Sequence, residues 1–399
     1  MPENACPTPE PFTTVIWSIL FLTSLFFLTF MSRFIFAPLM PFIEQDLVLT
    51  HAQAGSIFLS GSIGYFISSL GSGFVASRIN HRGALILTLF MAALALLVCT
   101  TLTSLWTIRI SMLVLGMAAG LHLPSNIATI TAMVSRQDWG KALSVQQMAP
   151  PLGLVLGPLL TVAIATYYSW RIPLGGIAVI ILIVAFFLIR FGKFGDFPGN
   201  APKFSLLRTI MNQKSFWIMI VLFAFGFGGQ VGVYAMLPLY LVTEKGLNAD
   251  LANTLIGLSQ ISALFMTFLA GWLTDRIGEK RAISLFLSSS GLMTIFLGIS
   301  SGTWLKVIVF LQPALIVCYF PAGFSALSRI VQPDLRSLTA AWSVPTAFLL
   351  GGGLFPAILG YMGQAYTFGL GISLAGCIIM IGSVIAFFLN LLEKMDDGC

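Results

Sequence analysis

The sequence predicts an all-α membrane protein with twelve transmembrane helices arranged in two pseudo-symmetric six-helix bundles. Three observations support this prediction: an extreme composition, a series of separated apolar runs, and landmarks that repeat at a nearly constant offset. Of the 399 residues, 57% are hydrophobic and only 9% are charged, whereas a soluble domain carries about 25% charged residues. The charged residues are too few to cover a soluble protein of this size, so we expect a lipid bilayer to surround it.

The apolar runs are long enough to cross a bilayer as helices, because one span takes about 20 residues. Short polar clusters separate the runs along the whole chain. The first run, 15–31, is too long for a cleavable signal, and no Lys or Arg precedes it. The predicted spans are 15–43, 52–77, 84–104, 107–133, 143–167, 172–190, 216–242, 253–274, 283–302, 305–327, 338–361 and 367–390.

The positions of the basic residues indicate how these spans are oriented. With a cytoplasmic N-terminus, most of the 20 Lys and Arg residues fall in inner loops. Cytoplasmic loops retain Lys and Arg during insertion, so the sequence predicts cytoplasmic termini and, for a prokaryote, the inner membrane. The net charge of +6 follows from this bias and does not indicate a nucleic-acid partner. Arg33 lies within a span, and the outer loops hold Arg109, Arg171, Lys245 and Lys306.

The two halves of the chain share landmarks at an offset of 197 or 198 residues, which indicates a duplicated six-helix bundle. The longest connection, 191–215, is basic and reads as a cytoplasmic linker between an N-terminal bundle, 1–190, and a C-terminal bundle, 216–399. Parallel repeats of this kind bind their substrate near the bilayer midplane and rock about it. The matching pairs are Pro41 and Pro238, Arg109 and Lys306, Pro124 and Pro321, Gly73 and Gly271, and Pro158 and Pro356.

A loop motif lies between the eighth and ninth predicted spans. It reads Gly271-Trp-Leu-Thr-Asp275-Arg276-Ile-Gly278-Glu-Lys280-Arg281. This run resembles the signature of the major facilitator superfamily, G-x-L-x-D-R-x-G-x-K-R, at every defined position. Gly271 is expected to let helices approach, Gly278 to permit a tight turn, and Asp275 to meet a helix N-terminus or basic partners.

The equivalent loop of the first half is a degraded copy of this motif, in which Ser77 replaces the acid and Asn80 replaces the second glycine. The resemblance implies a secondary transporter that works as a monomer by alternating access, without a cofactor. Topogenic charge at a loop remains the alternative reading of the motif. The residues that the resemblance assigns to a cytoplasmic gate are Arg78, Arg82, Gly271, Asp275, Arg276, Gly278, Lys280 and Arg281.

Polar side chains concentrate in the first, fourth, seventh and tenth spans, which line the substrate pathway in the fold that the resemblance implies. The sixth span, by contrast, has no polar side chain over 175–189. We therefore expect the polar residues of the lining spans to bind the substrate. They are Arg33, His122, Asn126, Gln230, Tyr234, Gln312 and Tyr319.

Arg33 is the most informative of these residues. A charge in the bilayer centre costs about 2.5–3.5 kcal/mol on insertion scales, and no Asp or Glu lies in the apolar core of any predicted span. An anionic substrate would supply a counter-ion for the guanidinium. The alternative is that Arg33 has a structural role. The run MSRFIFAPLMPF resembles the organic-anion and glycerol-phosphate branch of the family. Because Gln230 stands where that branch often has a second basic residue, a monocarboxylate is expected.

His122 is the one conventional proton carrier within a predicted span, because histidine changes charge near neutral pH. Proton coupling through His122 is therefore one hypothesis. A neutral hydrogen-bonding role, matching Tyr319 in the second half, is the other.

Other function classes fit the sequence less well. An enzyme is not expected, because His51, His81 and His122 are widely separated and no nucleophile–base pair or cofactor motif occurs. A transporter-like sensor would carry a longer soluble tail. A drug or metabolite exporter is the main alternative, because Gly153-Leu-Val-Leu-Gly157-Pro158 resembles a motif of many exporters.

Overall fold

The computed structural model describes residues 12–101, 104–192, 194–199 and 207–392, and all regular elements in these ranges are helical. Eleven helices in the described ranges are long and apolar enough to cross a membrane. This agrees with the predicted all-α membrane fold. The helices are α1 (Phe12–Leu47), α2 (His51–Thr101), α3 (Leu105–Met133), α4 (Arg136–Ala165), α5 (Arg171–Phe191), α6 (Lys214–Thr243), α7 (Ala249–Ile277), α8 (Glu279–Ile299), α9 (Gly302–Arg329), α10 (Arg336–Ala365) and α11 (Phe368–Phe388).

Helix α2 contains two of the twelve predicted spans. Its 51 residues would extend roughly 76 Å at 1.5 Å per residue, more than twice the thickness of a bilayer core. The helix is interrupted at Asn80, where φ is 61° and ψ is 167°. The two limbs, 51–79 and 81–101, therefore account for the second and third predicted spans.

The chain divides into two compact units. The first contains Met1–Leu49 and Ser60–Pro202, and the second contains Thr50–Leu59 and Lys203–Cys399. The division after residue 202 falls inside the predicted linker 191–215, of which residues 193 and 200–206 lie outside the described ranges.

The start of α2, Thr50–Leu59, belongs to the second unit. The sequence had instead predicted these residues to be part of the N-terminal bundle, 1–190. Within that unit, Gln364 Oε1 accepts a hydrogen bond from the Ala52 amide at 3.3 Å. A Cβ on Gly360 would collide with the carbonyl oxygen of His51. The absence of a side chain at Gly360 therefore permits this contact.

Helix α1 is central to the first unit and packs against α3, α4 and α5. The side chains of Ile19, Leu22 and Leu25 are fully buried along it. The first limb of α2 and helix α3 approach each other closely, because a Cβ on Gly116 would collide with the carbonyl oxygen of Gly61. Small residues commonly bring transmembrane helices together in this way.

Glycines also set the closest helix contacts in the second unit. Helix α8 packs along α11, where a Cβ on Gly369 would lie 2.6 Å from the carbonyl oxygen of Gly298. Helix α6 meets α10 where a Cβ on Gly232 would lie 2.7 Å from the carbonyl oxygen of Gly351. These contacts require glycine because any larger side chain would push the two backbones apart.

Three of the transmembrane helices in the described ranges contain a short π-helical segment. The segments are Thr161–Ala165 in α4, Gly228–Gly232 in α6 and Leu349–Leu354 in α10. A π-helical turn widens the helix locally and is frequent at functional sites. The segment in α6 contains Gln230, one of the predicted substrate ligands.

Candidate functional site

Arg33 lies in α1 of the first unit with 8% of its surface exposed. Its guanidinium carbon is 4.8 Å from the centroid of the Phe34 ring and 5.2 Å from that of the Tyr65 ring. Aromatic faces attract cations, and the attraction grows when the site is desolvated. The two rings therefore stabilise a positive charge in the middle part of α1.

The chain places Arg33 just before a break in α1. The regular helix ends at Phe34 and resumes at Phe36. Pro38 follows within one turn, and a proline has no amide N–H to donate to the carbonyl four residues earlier. The break at Ile35, two residues after Arg33, therefore has a local cause in the sequence.

A stripe of phenylalanines on α1 connects Arg33 with His122. Phe26, Phe30 and Phe34 are spaced four residues apart, so they share one helix face. The Phe30 and Phe34 rings stack at 4.2 Å, and the Phe26 and Phe30 rings meet edge-on at 6.5 Å. Phe26 stacks in turn on the His122 ring at 6.1 Å. Our sequence reasoning missed this stripe, although its spacing was a readable signal.

The glycine–proline motif of α4 packs against this stripe. A Cβ on Gly153 would lie 2.7 Å from Cδ1 of Phe30, so only glycine leaves room for the ring. At Gly157 the nearest atom, the Met31 sulfur, would be 3.7 Å away, an ordinary contact. The first glycine thus has a packing role beside the Arg33 helix.

His122 is fully buried and both of its ring nitrogens are engaged. Thr88 Oγ1 donates to the Leu85 carbonyl at 2.8 Å, so it can accept from His122 Nδ1–H at 3.0 Å. Asn126 Nδ2 lies 3.0 Å from His122 Nε2 and also donates to the Leu22 carbonyl at 2.8 Å. The network thereby assigns a neutral His122 with its proton on Nδ1.

Asn126 links α3 to α1 through this network. Its amide nitrogen uses both N–H groups, while its Oδ1 is buried without a hydrogen-bond partner among the described residues. Together His122 and Asn126 tie α3 to both α1 and the second limb of α2. The first unit thus holds two polar groups, one around Arg33 and one around His122, joined by the phenylalanine stripe.

Gln312 in the second unit binds the π-helical turn of α6. Its Nε2 donates to the Gly229 carbonyl at 2.8 Å and to Thr294 Oγ1 at 3.3 Å. Gln230 is half-buried in the same turn, and Tyr234 is buried one helical turn further along. The structure therefore brings Gln312 beside the segment that carries Gln230 and Tyr234.

Tyr319 occupies a tight, fully buried position in α9. Its ring meets that of Phe223 edge-on at 5.4 Å. A Cβ on Gly226 would lie 2.5 Å from Tyr319 Cδ1, so this glycine makes room for the ring. The Tyr319 hydroxyl has no hydrogen-bond partner among the described residues.

The predicted gate residues of the second unit form a structured turn. Gly278 has a φ of 83° and a ψ of 156°, a positive-φ conformation that glycine adopts readily and that fits the expected tight turn. The close helix contact that we expected at Gly271 is absent, because a Cβ there would have nothing within 4 Å in the described structure. Arg276 lies over the Trp272 ring at 4.0 Å. Lys280 is half-buried, and Arg281 is exposed.

The acid that makes the ion pair in this turn is Glu279. Glu279 Oε1 accepts from Arg329 at 2.7 Å and from Ser325 Oγ at 3.1 Å. Asp275, which we expected to hold basic partners, is exposed and has no ion pair within the described ranges. Sequence reasoning missed Glu279 because it occupies an undefined position of the motif.

The first copy of the motif binds the segment that follows α5. Arg82 pairs with Asp196 at 3.2 Å and donates to the Ile189 carbonyl at 3.0 Å. Its backbone amide also donates to the Gly195 carbonyl at 2.9 Å. Arg78 lies over the Phe74 ring at 4.9 Å, the same four-residue spacing as Arg276 and Trp272 in the second copy.

A family profile and two curated relatives match most of this chain. The sequence profile of the Major Facilitator Superfamily matches residues 22–356. The glycerol-3-phosphate transporter of Bacillus subtilis is 24% identical over 398 residues, covering 91% of this chain and 88% of that protein. The multidrug resistance protein MdtG of Salmonella dublin is 26% identical over 334 residues, covering 80% and 78%.

A solved structure shows a similar fold. A bacterial homologue of the human lysosomal transporter Spinster superposes with a TM-score of 0.84 at 16% identity. The superposition covers 96% of this chain and 98% of that one.

Proposed function

The chain belongs to the major facilitator superfamily, and from this premise we propose that it transports a small organic anion, such as a monocarboxylate, by alternating access. The family and the relatives above are transporters rather than enzymes. The observation that carries the proposed substrate class is the buried Arg33 between two aromatic rings. A gradient of ions or substrate drives the transport.

Arg33 has the chemistry that an anion requires. The Phe34 and Tyr65 rings lie against its guanidinium and favour its charge. A guanidinium binds a carboxylate through two parallel N–H···O bonds, which are roughly twice as strong as neutral hydrogen bonds. The glycerol-3-phosphate transporter is an anion transporter by name, and it is similar over 91% of this chain.

The second unit carries no equivalent charge at the matching position. Gln230, 197 residues after Arg33, is half-buried in the π-helical turn of α6. One guanidinium favours a monoanion over a dianion. Asn126, Tyr234, Gln312 and Tyr319 are neutral, and we assign them hydrogen-bonding roles in substrate binding.

We assign the coupling role to His122 through its contact with Asn126. Protonation of His122 would turn Nε2 into a donor that faces the Asn126 N–H group at 3.0 Å. Rotating the Asn126 amide would present Oδ1, which has no partner among the described residues. That rotation would also remove the hydrogen bond to the Leu22 carbonyl in α1, so a proton would loosen α3 from α1.

Each copy of the loop motif has the features of a cytoplasmic gate. Arg82 and Asp196 stabilise the loop of the first unit, while Glu279 and Arg329 stabilise that of the second. Both loops also hold an arginine over an aromatic ring, Arg78 in the first and Arg276 in the second. We place these loops, and both termini, on the cytoplasmic side of the inner membrane of a prokaryote, in a protein that works as a monomer.

A ligand-induced thermal shift tests the anion proposal. A ligand that binds only the folded protein raises the unfolding temperature by mass action. Small monocarboxylates, organophosphates and lipophilic cations would be compared on the wild type, Arg33→Gln and the control Arg78→Gln. Monocarboxylates are expected to stabilise the wild type and the control but not Arg33→Gln. If lipophilic cations stabilise all three proteins equally and no anion does, Arg33 is structural and the proposal fails.

An exporter of drugs or metabolites is the second candidate. The similarity to a multidrug resistance protein over 80% of the chain favours it. The glycine–proline motif adds less support, because Gly153 already has a packing role against Phe30. The lipophilic-cation arm of the same experiment would identify this function.

A further inference from the structure

The segment that follows α5 in the first unit, residues 194–199, lies along the break in α2, and we call it the strap. Three backbone hydrogen bonds connect it to α2, from both sides of Asn80. They run from the Arg82 amide to the Gly195 carbonyl at 2.9 Å, from the His81 amide to the Phe197 carbonyl at 3.3 Å, and from the Gly199 amide to the Ala76 carbonyl at 3.0 Å. Because it bonds to both limbs, the strap holds the angle between them.

The strap also reaches two other helices of the first unit. The Phe194 ring lies 6.2 Å from the ring of Phe21 in α1. Gly195 has a φ of 80°, and a Cβ on it would lie 3.1 Å from Thr129 Oγ1 in α3. The strap therefore connects α1, α2 and α3 at one end of the unit.

His81 lies against the strap with only 9% of its surface exposed. Its ring centroid is 4.8 Å from that of Phe197, and its Nδ1 is buried without a hydrogen-bond partner among the described residues. Burial lowers the pKa of His81, because an imidazolium loses more hydration than a neutral ring. The docked strap therefore favours the neutral form of His81.

The charges around His81 also disfavour its protonation. Among the described residues of the neighbouring elements, the charged ones are Arg78 and Arg82 of α2, Asp196 of the strap and Arg190 of α5. The one acid of this group already pairs with Arg82 at 3.2 Å. Helices α1 and α3 contribute no Asp, Glu, Lys or Arg over 12–32 and 110–133. A protonated His81 would thus add a positive charge where arginines already outnumber the acid.

We propose that the strap is a pH-sensitive fastener, which docks on α2 while His81 is neutral and is released when His81 takes up a proton. An exposed histidine titrates near pH 6.5, so the released state binds a proton more readily than the docked state. Docking is therefore strongest at neutral pH and weakens as the pH falls from about 6.5 toward the lowered pKa of the docked state. One proton limits this effect to about tenfold per pH unit.

The fastener links acid to the freedom of three helices. Release of the strap removes its hydrogen bonds to both limbs of α2 and its contacts with α1 and α3. In the orientation proposed above, this end of the first unit faces the cytoplasm, so the strap would respond to cytoplasmic pH.

Hydrogen–deuterium exchange of the full-length purified protein tests the proposal. Mass spectrometry of peptides that cover 194–199 gives protection factors, corrected for the intrinsic effect of pH on exchange, at about pH 7.5 and about pH 5.5, one unit to each side of the exposed histidine value. The wild type is expected to lose protection severalfold at the lower pH. His81→Phe keeps a ring but cannot take up a proton, so it should be equally protected at both.

Two control variants accompany this comparison. His51 is a half-buried histidine of the second unit whose ring also packs on a phenylalanine, Phe368, at 4.9 Å. His51→Phe should lose protection in the strap at low pH as the wild type does. Asp196→Asn removes the ion pair with Arg82, so it should lower protection at both pH values while keeping the further loss at low pH.

Two outcomes would overturn the proposal. If the wild-type strap is equally protected at both pH values, it is a fixed structural element. If His81→Phe loses protection at low pH as the wild type does, another group takes up the proton. Should His81→Phe not fold, His81→Gln is also neutral at both pH values and is expected to keep the strap equally protected.

Discussion

Asn80 and Gly278 hold equivalent places in the two loop motifs and share one backbone conformation. The φ and ψ angles are 61° and 167° at Asn80, and 83° and 156° at Gly278. This region is essentially restricted to glycine, because a Cβ clashes with the neighbouring backbone. The first unit therefore holds a strained asparagine at a turn that the second unit makes with glycine. The neighbouring His81 amide donates to the Phe197 carbonyl at 3.3 Å, which helps to hold the turn in place.

Replacing Asn80 with glycine is expected to stabilise the protein by about 1 kcal/mol. A non-glycine residue in this region costs about 1–3 kcal/mol of strain, which the substitution would relieve. The greater freedom of glycine in the unfolded chain offsets about 0.5–1 kcal/mol of this gain in stability. Thermal unfolding of the purified protein measures the change. The control Asn80→Ala keeps the Cβ and should give no gain, whereas Gly278→Ala should destabilise the second unit. Equal stability of the Asn80→Gly and Asn80→Ala variants would show that the turn is not strained.

The sequence was sufficient for the helical fold because the signals there are local. Hydropathy alone identified the transmembrane helices, and the turn at Gly278 followed from the glycine that the loop motif defines at this position. The mistakes concern spatial contacts. We expected a close contact at Gly271 and found open space there. We expected Asp275 to bind basic partners, but Glu279 does so, because it starts α8 on the side that faces Arg329.

Tyr65 is expected to raise the anion affinity of Arg33 through its ring rather than its hydroxyl. A cation–π contact contributes about 0.5–2 kcal/mol, so Tyr65→Leu should weaken monocarboxylate binding by roughly 2- to 30-fold. Tyr65→Phe keeps the ring and should stay within about twofold of the wild type. Binding is measured by thermal shift titration.

The matched control for Tyr65 is Phe74→Leu. It removes the equivalent ring contact of the exposed Arg78, 4.9 Å away, and should leave binding unchanged. Loss of affinity in Tyr65→Phe as large as in Tyr65→Leu would assign the effect to the hydroxyl instead.

Gln312 is expected to stabilise the second unit by holding the π-helical turn of α6. Gln312→Leu leaves the Gly229 carbonyl without its side-chain donor. Side-chain hydrogen bonds between transmembrane helices average about 0.6 kcal/mol and reach about 1.7 kcal/mol, so we expect a loss in that range. Unfolding of the purified protein in denaturing detergent gives the free energy. The control Gln230→Leu removes a half-buried amide from the same turn and should lower the free energy of unfolding by less. If the two variants lower it equally, Gln312 contributes only by packing.

The polar site was predictable in its residue types but not in its bonding. The sequence identified His122 and Asn126 as polar residues of one predicted lining span. It gave no sign that Thr88, 34 residues before His122, fixes the proton on Nδ1. Nor could it show that the Tyr319 hydroxyl has no hydrogen-bond partner among the described residues, because that depends on what every neighbouring side chain bonds to. Such properties follow from distances between helices, which a single sequence does not contain.

His122 is expected to be needed for proton-driven accumulation but not for exchange. In proteoliposomes, exchange of internal for external substrate requires only binding and the conformational change, whereas accumulation against a gradient also requires a coupled proton. His122→Gln cannot take up a proton near neutral pH, but its amide can still hydrogen-bond. It should therefore keep exchange within a few fold of the wild type while losing accumulation driven by a pH gradient.

The variants Thr88→Val and Asn126→Leu separate coupling from structure in the His122 network. Thr88→Val removes the acceptor of the Nδ1 proton and should lower stability while leaving accumulation in place. Asn126→Leu removes the amide whose rotation, after protonation of His122, would break the hydrogen bond to α1. This variant should therefore lose accumulation, as His122→Gln does. If His122→Gln still accumulates substrate, the histidine is a neutral structural residue, and any proton coupling must use another group. If His122→Gln loses exchange and accumulation together while remaining folded, its role lies in binding or in the conformational change.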